Sequence, residues 1–374
     1  MRSGEGTGER AWLVWAKRKS RPVPGAPPPP DLLVELESLV ESAGGVVAGA
    51  RTQVVASENP ATLVGSGTLE RLKDDVREHG VDLVVFQNLL KPRQQVNLER
   101  ELEVKVLDRR EVILDIFARR ARSREGKLQV ELAQLSFRLG RLVGGRRDLS
   151  RLGGGIGTRG PGEKKLEQDR RRIRTQLRQI DRELSTVRRT RTLHYRRRKE
   201  VGYPVVAIVG YTNAGKSTLF NRLTGADVYV ADQLFATLDP TARKFRLPGG
   251  AEAILVDTVG FIHELPDELR EAFLATLEGI GEADLLLHVV DGSTDGMERN
   301  IASVERILGE LGYAGSPSIL VLNKSDLVEA GEPPPGAGTR VSAATGSGIG
   351  ELLRAVERGL CERDSEKSDS TRPA

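Results

Sequence analysis

A single cysteine, Cys361, occurs in 374 residues, and Met and Trp occur only twice each. One thiol cannot build an internal disulfide framework or, by itself, a thiolate metal site, and its solitude fits a reducing compartment. Aromatic residues make up 4% of the chain, so any core must be mainly aliphatic. Long hydrophobic runs are missing: nothing approaches the roughly 18–20 residues that cross a bilayer. The opening residues, MRSGEGTGER, have neither the apolar stretch nor the cleavage site of a secretory signal. A cytoplasmic location is therefore expected, peripheral to a membrane at most, with no integral membrane segment. His79, His194, His263 and His288 are scattered without ligand spacing, and His288, inside an apolar stretch, reads as a core residue.

What is present is charge, and it is segregated. The chain carries 57 Lys+Arg and 53 Asp+Glu, a formal net charge of +4. Residues 164–199 hold 15 basic and 4 acidic side chains, a local +11 that leaves the remainder at −7. Such a segment is either a solvated helix face or a nucleic-acid surface. Arginine dominates it, and the planar guanidinium suits phosphate geometry and base stacking, which favours RNA.

The expected fold class is α/β, in several parts. Residues 1–30 read as a flexible or edge-strand segment, with a strand candidate Ala11–Ala16 running into six prolines between Pro22 and Pro30. Residues 31–120 alternate helix and strand patterns at lengths suited to a small α/β domain with a mainly parallel sheet. Residues 121–200 change grammar: Leu128, Leu132, Leu135 and Leu139 form one helical seam, and Leu166, Ile173, Leu177, Ile180, Leu184 and Val187 another. Between them, residues 140–163 contain nine glycines, as expected for the tip of an antiparallel helical hairpin. From 201 to 362 the continuous apolar strands VVAIV, AILV, LLLHVV and SILVL imply a mostly parallel sheet covered on both faces. Residues 363–374 read as a disordered tail.

The strongest chemical signal is GYTNAGKS, Gly210–Ser217, between the strand ending at Val209 and the helical LFNRL. This is a P-loop in strand–loop–helix context. Gly210 and Gly215 let the backbone curl around phosphates, Asn213 and Ala214 line the same loop as nucleotide-binding positions, and the helix start at Lys216, Ser217 and Thr218 offers N–H groups to them. Lys216 is placed for the β and γ phosphates and Ser217 for Mg²⁺. DTVG follows a buried strand: Asp257 suits the Mg²⁺ shell, and the Gly260 N–H suits the γ-phosphate. NKSD supplies Asp326, whose two oxygens can accept from the N1–H and exocyclic amine of guanine, while Asn323 and the Lys324 stem steady the base. VSAATG offers the N–H groups of Ser342 and Ala343 to the guanine carbonyl. Thr237 is the leading candidate for a switch threonine completing Mg²⁺ coordination, with Thr224 and Thr241 as alternatives by position. Phe261 follows DTVG where a water-orienting glutamine is common in signalling GTPases, so intrinsic hydrolysis is expected to be slow. Asn213 raises the expectation of a K⁺ ion in the role of an arginine finger. GTP/GDP and Mg²⁺ are thus the expected ligands.

These motifs, with QNLLKPRQQVNLE, DRREVILDIFARRARSREGKLQVELAQL, GGGIGTRGPGE, DQLFATLDPT and DTVGFI, resemble the HflX family of ribosome-associated GTPases in the Obg–HflX group, over most of the chain. The resemblance implies binding to the large (50S) ribosomal subunit including its 23S rRNA, hydrolysis stimulated by ribosomes, and splitting of stalled or hibernating 70S particles. It implies no DNA partner, and a monomer is expected. Gly153, Gly154, Gly155, Arg159, Lys164 and Lys165 at the hairpin tip would be the RNA contacts. The tip continues as GEKKLE where many members have GETQLE, adding two positive charges. Some members carry a further C-terminal domain, and none is read here, so its contacts are not carried over. A ribosome-assembly or RNA-remodelling role, and a signalling switch with a protein effector, remain the alternatives.

Overall fold

The computed structural model describes residues 8–19, 32–149, 161–200, 202–226, 234–235, 241–262, 280–281, 283–294, 296–328 and 338–370. The chain divides into two compact units, residues 1–119 with 130–181 and residues 120–129 with 182–374. The two helices of the expected hairpin are thus shared between the units.

In the first unit β1 (Arg10–Arg18), β2 (Val46–Val55), β3 (Leu83–Phe86) and β4 (Lys105–Asp108) form a parallel sheet in the order β2-β1-β3-β4. Helices α1 (Leu32–Ser42), α2 (Ser66–Glu78), α3 (Pro92–Leu102) and α4 (Arg109–Arg120) alternate with the strands. The expectation of an edge or flexible N-terminal segment is corrected here. β1 lies inside the sheet, paired on both sides, and Ala11–Val14 are buried. Its partners are far away in sequence, and the proline run that follows hides its central position. Gly49 opposes Trp12, and a Cβ there would strike the indole ring. Beyond the last β1–β3 pair, Asn88 extends the sheet: its side chain accepts from the Ala16 N–H at 2.8 Å and donates to the Ala16 carbonyl at 3.0 Å.

Two long helices follow, α5 (Arg124–Leu149) and α6 (Pro161–Glu200). Within the second unit Arg124 meets Glu183 at 3.1 Å, and within the first the Arg170 guanidinium donates to the Leu142 carbonyl at 2.6 Å. Those pairings run in opposite directions along the two helices, so α5 and α6 are antiparallel. The expected tip is shorter than 140–163, because α5 continues to Leu149 and α6 starts at Pro161. On α5 Gly126, Gln129, Val130, Ala133, Leu135 and Phe137 are buried, while Leu128, Leu132 and Leu139 are only partly buried. The leucine spacing thus located the helix and, at Leu135, part of its buried face. Two guanidinium groups lie over the Phe137 ring, Arg110 at 5.2 Å and Arg141 at 4.5 Å from its centroid. Arg141 also pairs with Glu111 at 3.1 Å, so cation–π and ionic contacts together hold α5 against α4.

In the second unit β5 (Val205–Gly210), β6 (Thr241–Arg246), β7 (Glu252–Asp257), β8 (Leu285–Asp291), β9 (Ser318–Asn323) and β10 (Thr339–Arg340) form a sheet ordered β10-β9-β8-β5-β7-β6. All pairs are parallel except β6–β7. Helices α7 (Lys216–Thr224), α8 (Met297–Glu310) and α9 (Ile349–Ser370) belong to this unit. β5 is buried along its length, as its unbroken apolar run requires. Because β5, β7, β8, β9 and β10 run the same way, the loops at their carboxyl ends gather on one edge, where open α/β sheets bind ligands. The expected disordered tail is corrected in part, since α9 is helical to Ser370 and Arg363 pairs with Asp284 at 3.1 Å. Among the described residues no helix is long and apolar enough to cross a membrane.

Candidate nucleotide site

The P-loop leaves β5 at Gly210, a position only glycine can hold, because a Cβ would collide with the Val289 carbonyl of the neighbouring strand. Asn213 takes the left-handed conformation at φ 63° and is exposed, so its side chain is available to a ligand. Gly215, also left-handed, begins α7 and allows the Asn323 side chain to approach. Lys216 is buried at the first turn, its ammonium donating to the Tyr211 carbonyl at 2.7 Å. Burial lowers its pKa to about 8, with the Asp257 carboxylate acting in the opposite direction. A phosphate beside this ammonium would oppose the burial effect and keep it charged.

Asp257 ends β7 fully buried, and its carboxylate accepts from the Ser217 hydroxyl at 2.9 Å. The two expected Mg²⁺ ligands are thus brought together as hard oxygen donors. Gly260 approaches the P-loop closely: a Cβ there would lie 2.8 Å from the Lys216 ammonium and 2.9 Å from the Thr212 Cα. The loop is pinned by two main-chain bonds, Thr212 N–H to the Phe261 carbonyl at 2.7 Å and Phe261 N–H to the Gly210 carbonyl at 3.1 Å. Phe261 itself is buried in the cluster with Ile280, Leu286, Val304 and Ile307. The position that a glutamine often takes is here a core anchor, which gives a physical reason for the missing water-orienting group.

Asn323 is the hub of the base side. Its amide donates to the Ala214 carbonyl at 2.9 Å and accepts from the Ala343 N–H at 3.0 Å, joining the P-loop to VSAATG. Lys324, left-handed at φ 61°, pairs with Asp291 at 2.7 Å. Burial opposes the charge on Asp291, yet hydrogen bonds from Lys324 and Ser293 outweigh it and hold the carboxyl below its usual range. Asp326 is exposed in the short 3-10 turn Ser325–Leu327. The Ser342 N–H is donated to the Ser347 carbonyl at 2.9 Å and the Ala343 N–H to Asn323. Both amides chosen for guanine are engaged within the protein, and the next one, on exposed Ala344, follows them.

Of the switch candidates, Thr224 is occupied at the end of α7, donating to the Phe220 carbonyl at 2.7 Å, and Thr241 starts β6 opposite Asp257. Thr237 lies outside the described residues, as do Gly153, Gly154, Gly155 and Arg159. Lys164 and Lys165 belong to the first turns of α6. Thr218 follows Ser217 on α7, partly buried. Sequence reasoning missed Asp291, signalled only by its place at the end of β8, and Arg222 on α7.

His288 on β8 is buried, and burial, then nearby Lys216, brings its pKa down to about 4 from an ordinary 6.5. Between those values the unfolded chain binds a proton that the native state refuses. Stability contributed by neutral His288 is therefore complete above about pH 6.5 and is lost as pH falls toward 4, by on the order of 3 kcal/mol. Urea unfolding from pH 7 to 4 should show this slope, and His288→Gln should flatten it; an unchanged slope in the variant would contradict the assignment.

A P-loop, a buried Ser–Asp pair and a base-side loop network on one sheet edge define a P-loop GTPase domain. Three family models match in register: the GTP-binding GTPase N-terminal family over residues 31–118, the GTP-binding GTPase middle region over 120–198, and the 50S ribosome-binding GTPase family over 205–324. The chain is 53% identical over 335 residues to the GTPase HflX of Caldanaerobacter subterraneus subsp. tengcongensis, covering 90% of this chain and 78% of that one. It is 47% identical over 339 residues to the Escherichia coli GTPase HflX, covering 88% and 79%. The chain belongs to the GTPase HflX family. In fold it is similar to a crystal structure of SsGBP in complex with GDP, with 24% identity, 95% and 99% coverage and a TM-score of 0.50.

Proposed function

We propose that this GTPase engages the large ribosomal subunit through the hairpin and N-terminal regions, and that GTP favours a bound state that separates 70S ribosomes into subunits. The observation that carries the reading is on α6. Arg171, Arg174, Arg178, Arg182 and Arg189 recur at helical spacing and are all exposed, forming one cationic face away from the buried Ile180 and Leu184. Arg170, by contrast, is buried and serves the hairpin itself. Such a face suits the phosphates of rRNA. The match of residues 205–324 to a 50S ribosome-binding GTPase family supports the same partner.

In the proposed reaction the P-loop amides and Lys216 hold the β and γ phosphates. Ser217 and Asp257, with Thr237, would hold Mg²⁺, which supplies charge neutralisation on the phosphate oxygens. Water attacks the γ-phosphorus, a new P–O bond forms, and the bond to the β–γ bridging oxygen breaks, giving GDP and phosphate. Phe261 supplies no group to orient that water, so the ribosome completes the site; Asn213, exposed in the P-loop, would hold K⁺ there. Hydrolysis then returns the protein to its weakly bound state. Steady-state hydrolysis with and without purified large subunits tests this. Stimulation of at least tenfold is expected, greater in potassium than in sodium buffer. No stimulation would favour the effector-switch alternative, and equal rates in the two cations would remove the K⁺ assignment.

A further inference from the structure

Arg222 lies on α7, six residues beyond Lys216, and reaches across to the base-side loop. Its Nε donates to the Ala343 carbonyl at 3.0 Å, and its Nη2 donates to the Ala344 carbonyl. The same guanidinium packs beside Gly346, left-handed at φ 93°. Arg222 thus holds two successive carbonyls of VSAATG with one rigid, permanently charged fork.

The consequence follows from peptide geometry. A trans peptide sets the N–H of residue i+1 antiparallel to the carbonyl of residue i. Drawing the Ala343 carbonyl to Arg222 therefore aims the Ala344 N–H the opposite way, and the cation polarises that peptide so that its N–H is a better donor. The flanking amides are fixed independently, Ala343 N–H by Asn323 and Thr345 N–H by the Ser342 hydroxyl at 3.1 Å. The peptide between Ala343 and Ala344 takes its orientation from Arg222, whereas the next one is shared between Arg222 and Ser342. Because α7 also begins the phosphate-binding turn, the clamp joins the phosphate side to the base side.

We infer that Arg222 is a positioning residue for purine selection, orienting the Ala344 N–H toward the 6-oxo group of guanine. This rests on the reading of the site as a guanine site. The base is then checked at two separate edges: Asp326 reads N1–H and the 2-amino group, and the Arg222-held amide reads the 6-oxo group.

Equilibrium binding of GDP, inosine diphosphate and 6-thio-GDP to the full chain separates these edges. Inosine diphosphate keeps the 6-oxo group and lacks the 2-amino group; 6-thio-GDP keeps the 2-amino group and replaces the oxygen by a poor acceptor. Arg222→Ala should weaken GDP and inosine diphosphate alike, by about five- to tenfold, the worth of one good hydrogen bond. It should weaken 6-thio-GDP much less, so the GDP preference over 6-thio-GDP falls while the preference over inosine diphosphate stays. Arg222→Lys, which keeps the charge but not the fork, should recover part of the preference. Equal weakening of all three nucleotides, or no weakening, would overturn the inference. A wild-type protein that binds ADP as well as GDP would overturn the guanine site itself; a wild-type preference for GDP left untouched in Arg222→Ala would overturn only the role of Arg222.

Discussion

Asp326→Asn is expected to move the base preference of the G domain from guanosine to xanthosine nucleotides. An aspartate offers two acceptors, which match the N1–H and 2-amino donors of guanine. Asparagine replaces one acceptor by an amine that faces the 2-amino group donor to donor. Hydrogen bonds to a charged group are worth about 1.5–3 kcal/mol each, so GDP affinity should fall roughly 100-fold or more. Xanthine presents N1–H beside a 2-oxo group, which the asparagine amide satisfies, so xanthosine diphosphate should become the better ligand. Competition binding with the two diphosphates measures the exchange. Asp326 is exposed and carries no core contact that would confound the variant. Retained preference for GDP would mean that another group reads the base.

The second large effect concerns the arginine face of α6. Replacing Arg171, Arg174, Arg178, Arg182 and Arg189 together by Gln should reduce the salt dependence of large-subunit binding, the slope of log K against log salt, by about three to five. At low salt the loss of affinity should exceed roughly 100-fold, since proteins with several phosphate contacts change affinity by orders of magnitude over modest salt ranges. Nucleotide binding should stay within about twofold of wild type, because none of these side chains belongs to the P-loop, the Asp257 loop or the base-side loops. Arg170→Ala is the contrasting variant: it removes the bond to Leu142 and should destabilise the hairpin with little change in salt slope. Filter binding or sedimentation with purified large subunits at several salt concentrations reads both. A full arginine-face variant with an unchanged slope would show that the cationic face is only solvated.

The parts of this site that were legible in the sequence are those where chemistry dictates residue type at short spacing. Gly210, Gly215 and Lys216 follow from the need to wrap backbone around phosphate, and Ser217 with Asp257 from the need for hard oxygen ligands. Each motif also sits at the end of an apolar strand, which placed all of them on one sheet edge. Arg222 was not legible, because it acts through main-chain carbonyls more than 120 residues away, and an arginine in a helix carries no sign of such a contact. The destinations of the Ser342 and Ala343 amides were hidden for a similar reason: spacing identifies a loop but not where its N–H groups go. In the first unit the alternation of helix and strand over residues 31–120 was legible from the periodicity of its apolar residues. β1 was misplaced because a strand's position in a parallel sheet depends on partners remote in sequence, and the six prolines after it suggested a loose end.

Phe261 shows how a sequence departure and its structural cause join. Its ring belongs to the core cluster beside α8, and its main chain braces the P-loop at both Thr212 and Gly210. A polar side chain at this position would be buried among aliphatic groups at a cost of a few kcal/mol unless paired. The fold thus uses this position to brace the phosphate loop, where a water-orienting group would otherwise stand.

In the proposed function, GTP binding by this domain drives separation of ribosomal subunits. The most direct measurement mixes purified 70S ribosomes with the full chain and GTP, a non-hydrolysable GTP analogue or GDP, and follows dissociation by light scattering and gradient sedimentation. Splitting with GTP and with the analogue, and none with GDP, is the predicted result. Stable 70S particles under all three nucleotides, with large-subunit binding intact, would contradict the splitting role and leave assembly or RNA remodelling as the function of the same surface.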